Sequence, residues 1–348
     1  MTSISHCKTI SPEDRDYCDD SIAQEKVLKA IKNLKNNKSP GCDGITAELY
    51  KMFDELLTPF LVKVFSESLE KEALPTTMTQ GVITLIPKPE KDRNCLENWR
   101  PITLLNNDYK IFALVFANRL KEVLDTIIDE SQSGFMRKRH NANNIRLVLD
   151  LLDYNELITD NSFILFLDFY KSFDSLEHGF ILQALKKFGF GDGFCRTVRT
   201  LYTNGSSAIK LKSGTSPRFK VSRGIKQGCP ISPYLFLIAS QLLALHVSNS
   251  ALEGITLAER SIILSQLADD TTIFLRNASQ IPLAIELIRG FSQASGLKLN
   301  LKKCELLAVK DCDVSNIYDI PVKDQVTHLG IIITKDQNTR SPLNFSKH

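Results

Sequence analysis

No C-x-x-C pair occurs in this sequence. Its eight cysteines, Cys7, Cys18, Cys42, Cys95, Cys195, Cys229, Cys304 and Cys312, are scattered singly. That spacing argues against a zinc site built on paired thiolates. The opening residues MTSISHCKTI carry no apolar h-region of a secretory signal. Reduced thiols in an intracellular protein, nuclear or cytoplasmic, are therefore expected. No apolar stretch reaches membrane-spanning length, so no membrane partner is expected. Net charge is also small, +3 over 348 residues, and identifies no partner by itself. There is no internal repeat and no low-complexity tract.

What is present is enough apolar material for a sizeable core: 43% of the residues are hydrophobic and 24% are charged. The length suits two or three domains, or one large one. The charges are unevenly placed. SPEDRDYCDD (11–20) is acidic, whereas MRKRH (136–140) and LKLNLKK (297–303) are basic. Local basic patches bind phosphates even when the global charge is near neutral.

Residues 1–23 are polar and read as a mobile tail. AQEKVLKAIKNLKNNKSPGCDG then has helical periodicity at Val27, Ile31 and Leu34 and ends in Asn, Pro and Gly breakers. A second helix is expected over TAELYKMFDELLTPFLVKVFSESLEKE, and a long amphipathic one over NDYKIFALVFANRLKEVLDTII. GVITLIPKPE is a β-rich run stopped by prolines. NSFILFLDF is apolar on both faces, as a buried strand at a sheet centre would be. GIKQGCPISPYLFLIASQLLALHV reads as a Gly/Pro loop feeding an apolar helix, and IPLAIELIRGFSQAS as another helix closed at Gly296. Helices mixed with antiparallel hairpins give an α+β class.

One stretch breaks local rules. In ILSQLADDTTIFL, Asp269 and Asp270 stand side by side between two apolar β-type runs. Hairpin turns favour Asn-Gly or Asp-Gly, and two like charges repel. A divalent cation would relieve that repulsion, since hard oxygen ligands suit Mg²⁺. A third carboxylate should then exist, and Asp168, at the end of SFILFLD, is the best candidate. Paired cations held by carboxylates activate a hydroxyl and stabilise a leaving phosphate oxygen, so the reaction class would be phosphoryl transfer. Taken alone, an Asp pair in a turn is most often a solvated surface, and Asp168 could be a helix cap. Asp174, in DSLE, reads as a helix cap.

The motifs FILFLDFYKSFDSLEH, GIKQGCPISPYLF and QLADDTTIFL, in that order, resemble the core motifs of reverse transcriptases, in particular those of non-LTR retrotransposons. NNKSPGCDGITAELYK, LIPKPEKDRNCLENWRPITLLNNDYKIFALVFANRL, ESQSGFMRKR, SGLKLNLKKCELL and HLGI resemble flanking motifs of the same family. Cys42 stands where the family usually carries Pro. The resemblance covers about residues 25–335.

It implies a right-hand polymerase with fingers and an antiparallel palm sheet. Residues 24–160 would be mainly fingers, 161–335 mainly palm, and 336–348 the start of a thumb that is largely missing. Asp168, Asp269 and Asp270 match the metal-binding carboxylates for two Mg²⁺ ions, with Mn²⁺ as a possible substitute. The Phe169 carbonyl is implied as a further ligand. Phe173 matches the aromatic gate under the incoming sugar, and Gln227 and Gly228 the loop along the nascent pair. Lys88 and Arg100 would bind the triphosphate. Lys303 would protonate pyrophosphate, although Lys302 is equally basic. His328, Leu329 and Gly330 would form the primer grip, and Arg137, Lys138 and Arg139 would contact template phosphates. The implied partners are an RNA template, a DNA primer and dNTPs. The alternative function is an inactive truncated remnant or an RNA-binding module on the same fold.

Overall fold

The run SFILFLD lies in the interior of a six-stranded sheet in the computed structural model, which describes residues 7–158, 160–257 and 259–345, the side chains of Ser341 and Phe345 excepted. In chain order the strands are β1 (Gln80–Pro87), β2 (Trp99–Leu105), β3 (Phe163–Leu167), β4 (Ser206–Ile209), β5 (Phe219–Lys220), β6 (Ile255–Leu257) and β7 (Arg260–Ile262). There follow β8 (Leu264–Leu267), β9 (Asp270–Leu275), β10 (Glu305–Ala308), β11 (Asn316–Ile317), β12 (Ile320–Lys323), β13 (Gln325–His328) and β14 (Ile331–Thr334). The fold is α+β, with antiparallel and mixed sheets.

The chain forms two compact units that interleave along the sequence. One comprises Ile128–Ser175 and the chain from Leu237 on; the other comprises Lys8–Ile127 and Leu176–Phe236. The sequence suggests a consecutive division at residue 160. Interleaving arises because β3 pairs with β9 and β10, which come much later in the chain.

The first unit carries the six-stranded sheet, in the order β11-β12-β10-β3-β9-β8. β3 runs antiparallel to β9 and β10, and β8–β9 is a hairpin. Ile164, Leu165, Phe274 and Leu307 are fully buried. Val148, Leu151 and Leu152 of helix Asn141–Asp153 pack with Ile164, Phe274 and Leu307 in one apolar cluster. Removing apolar surface of this kind from water is the main stabilising term.

The second unit carries the four-stranded sheet, in the order β2-β1-β4-β5. Its helical core is an aromatic ladder. Phe65, Phe112 and Phe116 stack edge-on at 5.1 Å intervals, and Phe194 lies 6.2 Å from Phe116. Helix Asn107–Ile127 follows the expected amphipathic segment. The expected second helix is divided instead, into Ala47–Met52 and Asp54–Glu70, because Phe53 leaves helical geometry at φ −115°.

The mobile tail expected over residues 1–23 is corrected for its described part; residues 1–6 lie outside the described residues. Pro12–Asp19 is a helix, with Ser11 accepting from Asp14 N as its cap and Pro at its start. Arg119 is buried and donates to the carbonyls of Cys18, Asp20 and Ser21. Asp19 accepts from Phe194 N, and a Cβ on Gly191 would stand 1.9 Å from the Asp19 carboxylate. Polarity misleads here because a few apolar groups, Ile10, Cys18 and Ile22, are buried and hydrogen bonds hold the rest of the segment.

At the other end of the chain, helix Gln337–Phe345 follows β14. Asn344 both accepts from Ile332 N and donates to Ile332 O. Residues 346–348 lie outside the described residues. Among the described residues no helix is long and apolar enough to cross a membrane, and no cysteine is joined in a disulfide.

Candidate active site

The β8–β9 hairpin places its turn one residue earlier than the sequence suggests. Leu267 pairs with Asp270, so Ala268 and Asp269 form the two-residue loop and Asp270 opens β9. Ala268 has φ +57°, a left-handed conformation costly for a residue with a Cβ. On the neighbouring strand Leu167 pairs with Thr271, and one further step along that register brings Asp168 level with Asp270. The three carboxylates therefore come from two adjacent antiparallel strands.

Their electrostatics agree with this placement. Burial, reinforced by the charges of Asp269 and Asp168, pushes the Asp270 carboxyl up to about 6. Asp168 accepts from Asn300 Nδ2 at 2.8 Å, while Ser172 Oγ donates to Asp269. Asn300 N also donates to the Asp168 carbonyl, and Tyr170 N to the Lys298 carbonyl, around the Phe169–Leu299 bridge. Neither bond uses the Phe169 carbonyl. The same segment carries Lys303, exposed and three residues past Asn300. Phe173 is half-buried on the one-turn helix Ser172–Ser175. Asp174 lies within that turn and caps nothing: the next helix, His178–Lys187, starts from Glu177.

The donors present, clustered hard oxygens under mutual repulsion, fit a divalent cation in chemical type. Among the described residues no group of three or more His, Cys, Asp or Glu is gathered to hold an ion. Asp168 and Asp269 are turned to Asn300 and Ser172 instead.

In the same unit, β13–β14 closes on Leu329 and Gly330, whose positive φ values of 51° and 84° suit a tight hairpin. His328 is turned inward, 5.0 Å from the Phe166 ring, and burial lowers it to about 4. It packs against β3, leaving Leu329 and Gly330 at the tip. In MRKRH, Arg137 and Lys138 are exposed. Arg139 donates to the carbonyls of Ile128, Asp129 and Gln132, so its guanidinium is bound to its own loop.

The remaining candidates lie in the second unit. Arg100 on β2 pairs with Ile86, and Lys88 continues β1 with its N–H bonded to the Asn98 carbonyl. The period of two puts Lys88 and Arg100 on one face of the hairpin. Gln227 accepts from Thr103 N at 2.8 Å through its carbonyl. Gly228 has φ +117°, and a Cβ there would meet the Thr103 carbonyl at 2.6 Å, so only Gly fits. Before this pair, Lys226 is buried with no hydrogen-bond partner for its ammonium, which lies 4.4 Å above the Tyr109 ring. Burial lowers it to about 8. Sequence reasoning gave no role to Lys226, Asn300 or Ser172. Lys226 and Asn300 stand inside the quoted motifs GIKQG and LNLKK, the only signal available.

A family model described as reverse transcriptase (RNA-dependent DNA polymerase) matches residues 86–333. The chain is 30% identical, over 84% of its length, to the uncharacterized 149 kDa protein of transposon TX1 from Xenopus laevis, and covers 22% of that protein. It is 28% identical, over 83% of its length, to a Pol polyprotein from the type-1 retrotransposable element R2 of Popillia japonica, covering 39% of it. Against a probable RNA-directed DNA polymerase from transposon BS of Drosophila melanogaster it is 23% identical over 72% of its length, covering 27%. The chain thus spans 22% to 39% of the lengths of these relatives. With the match running through both strands that carry the carboxylates, the chain belongs to the reverse transcriptase (RNA-dependent DNA polymerase) family.

Proposed function

We propose that this chain is the polymerase core of a non-LTR retrotransposon reverse transcriptase, adding deoxynucleotides to a primer 3′-hydroxyl on an RNA template. The observation that carries the reading is the register of β3 with β9, which sets Asp168 level with Asp270 beside the Asp269 turn. The unit with the six-stranded sheet is the palm, and the β1–β2 hairpin belongs to the fingers.

Asp168 and Asp269 would hold the divalent ions, Mg²⁺ or Mn²⁺, with Asp270 assisting. When bound, such ions neutralise phosphate charge and lower the pKa of the attacking hydroxyl. The other residues position and discriminate. Lys88 and Arg100 bind the triphosphate from one face of their hairpin, as fixed cations that need no reorganisation. Phe173 fills the space beneath the sugar and excludes a 2′-hydroxyl. Gln227 and Gly228 let backbone approach the nascent pair. Lys303 gives a proton to pyrophosphate. Leu329 and Gly330 seat the primer, and Arg137 and Lys138 neutralise template phosphates.

Primer extension on an RNA template, wild type beside Asp269→Asn, tests this reading. Metal-dependent extension by wild type alone supports it. Equal extension by both variants removes the carboxylates from the chemistry, and template binding without extension in either identifies a binding module.

A further inference from the structure

Behind the Ala268–Asp269 turn lies a buried polar layer that none of the roles above uses. Its centre is Gln132, fully buried. The Gln132 Oε1 accepts from Ala268 N and from Gly134 N, both at 2.8 Å. Its Nε2 donates to the Ala268 carbonyl and to Ser240 Oγ, both at 3.3 Å. One side chain thus grips both backbone polar groups of the residue before Asp269.

The surrounding contacts hold Gln132 itself in place. Ser133 N donates to the Gln266 carbonyl and Gln266 N to the Ser131 carbonyl, which lays residues 131–133 alongside β8. Asn144 Nδ2 donates to Ser265 Oγ and the Gln266 carbonyl, pinning the same strand from helix Asn141–Asp153. Arg139 ties off the carbonyls of this loop. Gly134 is needed for closeness, since a Cβ there would lie 2.4 Å from Ala268 N.

The grip falls on a strained residue. A non-glycine held at φ +57° is strained and persists only where its surroundings over-determine it. We propose that Gln132, with Gly134 making room for it, is a positioning residue that holds Ala268 in this conformation and thereby aims the Asp269 carboxylate. The proposal rests on the polymerase reading. The Gln-x-Gly element then acts through the carboxylate turn and touches no substrate.

The test measures Mn²⁺ binding to the whole chain by electron paramagnetic resonance at millimolar ion, without nucleic acid, in wild type, Asp269→Asn, Gln132→Met and Ser240→Ala. Amide exchange over 262–274 and circular dichroism are recorded alongside. Expected are loss of binding in Asp269→Asn and about tenfold weaker binding in Gln132→Met, the usual scale for removing a group that orients a ligand. Exchange at the turn should be faster in Gln132→Met. Ser240→Ala, which removes one Gln132 bond and leaves the Gln132–Ala268 bonds in place, should stay closer to wild type than Gln132→Met.

Wild-type-like binding and exchange in a folded Gln132→Met, with Asp269→Asn still defective, would overturn the proposal and leave the polymerase reading standing. Equal binding in wild type and Asp269→Asn, or none in either, would overturn the carboxylate reading and the proposal with it. If Gln132→Met does not fold, Gln132→Asn, whose amide falls one methylene short of the turn, is read with the same expectation.

Discussion

Asp168 and Asp269 each lean on a neutral donor, Asn300 and Ser172 respectively. Replacing a donor changes the aim of a carboxylate without changing its charge. Asn300→Ala should therefore retain extension but lower its rate by about tenfold to a hundredfold, with a raised Mg²⁺ requirement. A metal titration of the extension rate checks this, and an unchanged titration would show that Asn300 serves only the fold. Phe173, on the turn next to Ser172, carries a different expectation. Phe173→Val opens space under the sugar, so ribonucleotides should be incorporated against deoxynucleotides. Competition between the two sugars on one template measures it, and unchanged discrimination would remove Phe173 from that role. At this scale the hairpin around Asp269 and Asp270 was legible from the apolar runs on either side, and its like charges stood out as breaking a local rule. Gln132, Asn300 and Ser172 were not, since nothing in an isolated Gln, Asn or Ser says which backbone it will meet.

Elements with strong hydrophobic period were legible as well. Helices Asn107–Ile127, Ser232–Ser248 and Ile281–Ser295 and strand β3 lie where apolar spacing places them. The helix Pro12–Asp19 was missed although SPED carries a cap and a starting proline, because its polar composition outweighed those signals. Its anchorage predicts a cost. Asp19→Ala removes the acceptor for Phe194 N at the start of helix Asp192–Tyr202, and should destabilise the chain by about 1 kcal/mol in urea unfolding. Short strands such as β4, β5, β11 and β12 were unreadable, because strands of two to four residues hold no measurable period. Their pairing is decided by distant partners.

The loop carrying Lys226 gives an element-scale prediction in pH. Lys226 titrates near 8 in the folded chain against 10.5 for an ordinary lysine, because burial disfavours its charge. Between those values the unfolded chain holds a proton that the folded chain has released, so stability rises with pH across the window. Below about 8 both states are protonated and the whole cost of burial applies. Lys226→Met should thus be more stable at pH 7, by roughly 1–3 kcal/mol after loss of the contact with Tyr109, and its stability should stay flatter between pH 8 and 10. Denaturation at the two pH values checks both the sign and the window.

Across the whole molecule, the order of motifs along the chain was informative and the division into units was not. The two units interleave because strand pairing joins β3 to β9 and β10, a fact about distant segments that no window of sequence contains. The same pairing brings Asp168 to the Asp269 turn, so the long-range topology and the proposed chemistry rest on one feature. The most direct measurement is primer extension on a homopolymer RNA template with Mg²⁺, and then Mn²⁺, comparing wild type with Asp269→Asn. Wild type should synthesise DNA, and the variant at most about a thousandth as fast, as expected when a charge-stabilising group is removed from the reacting centre. Equal synthesis by both proteins would contradict it.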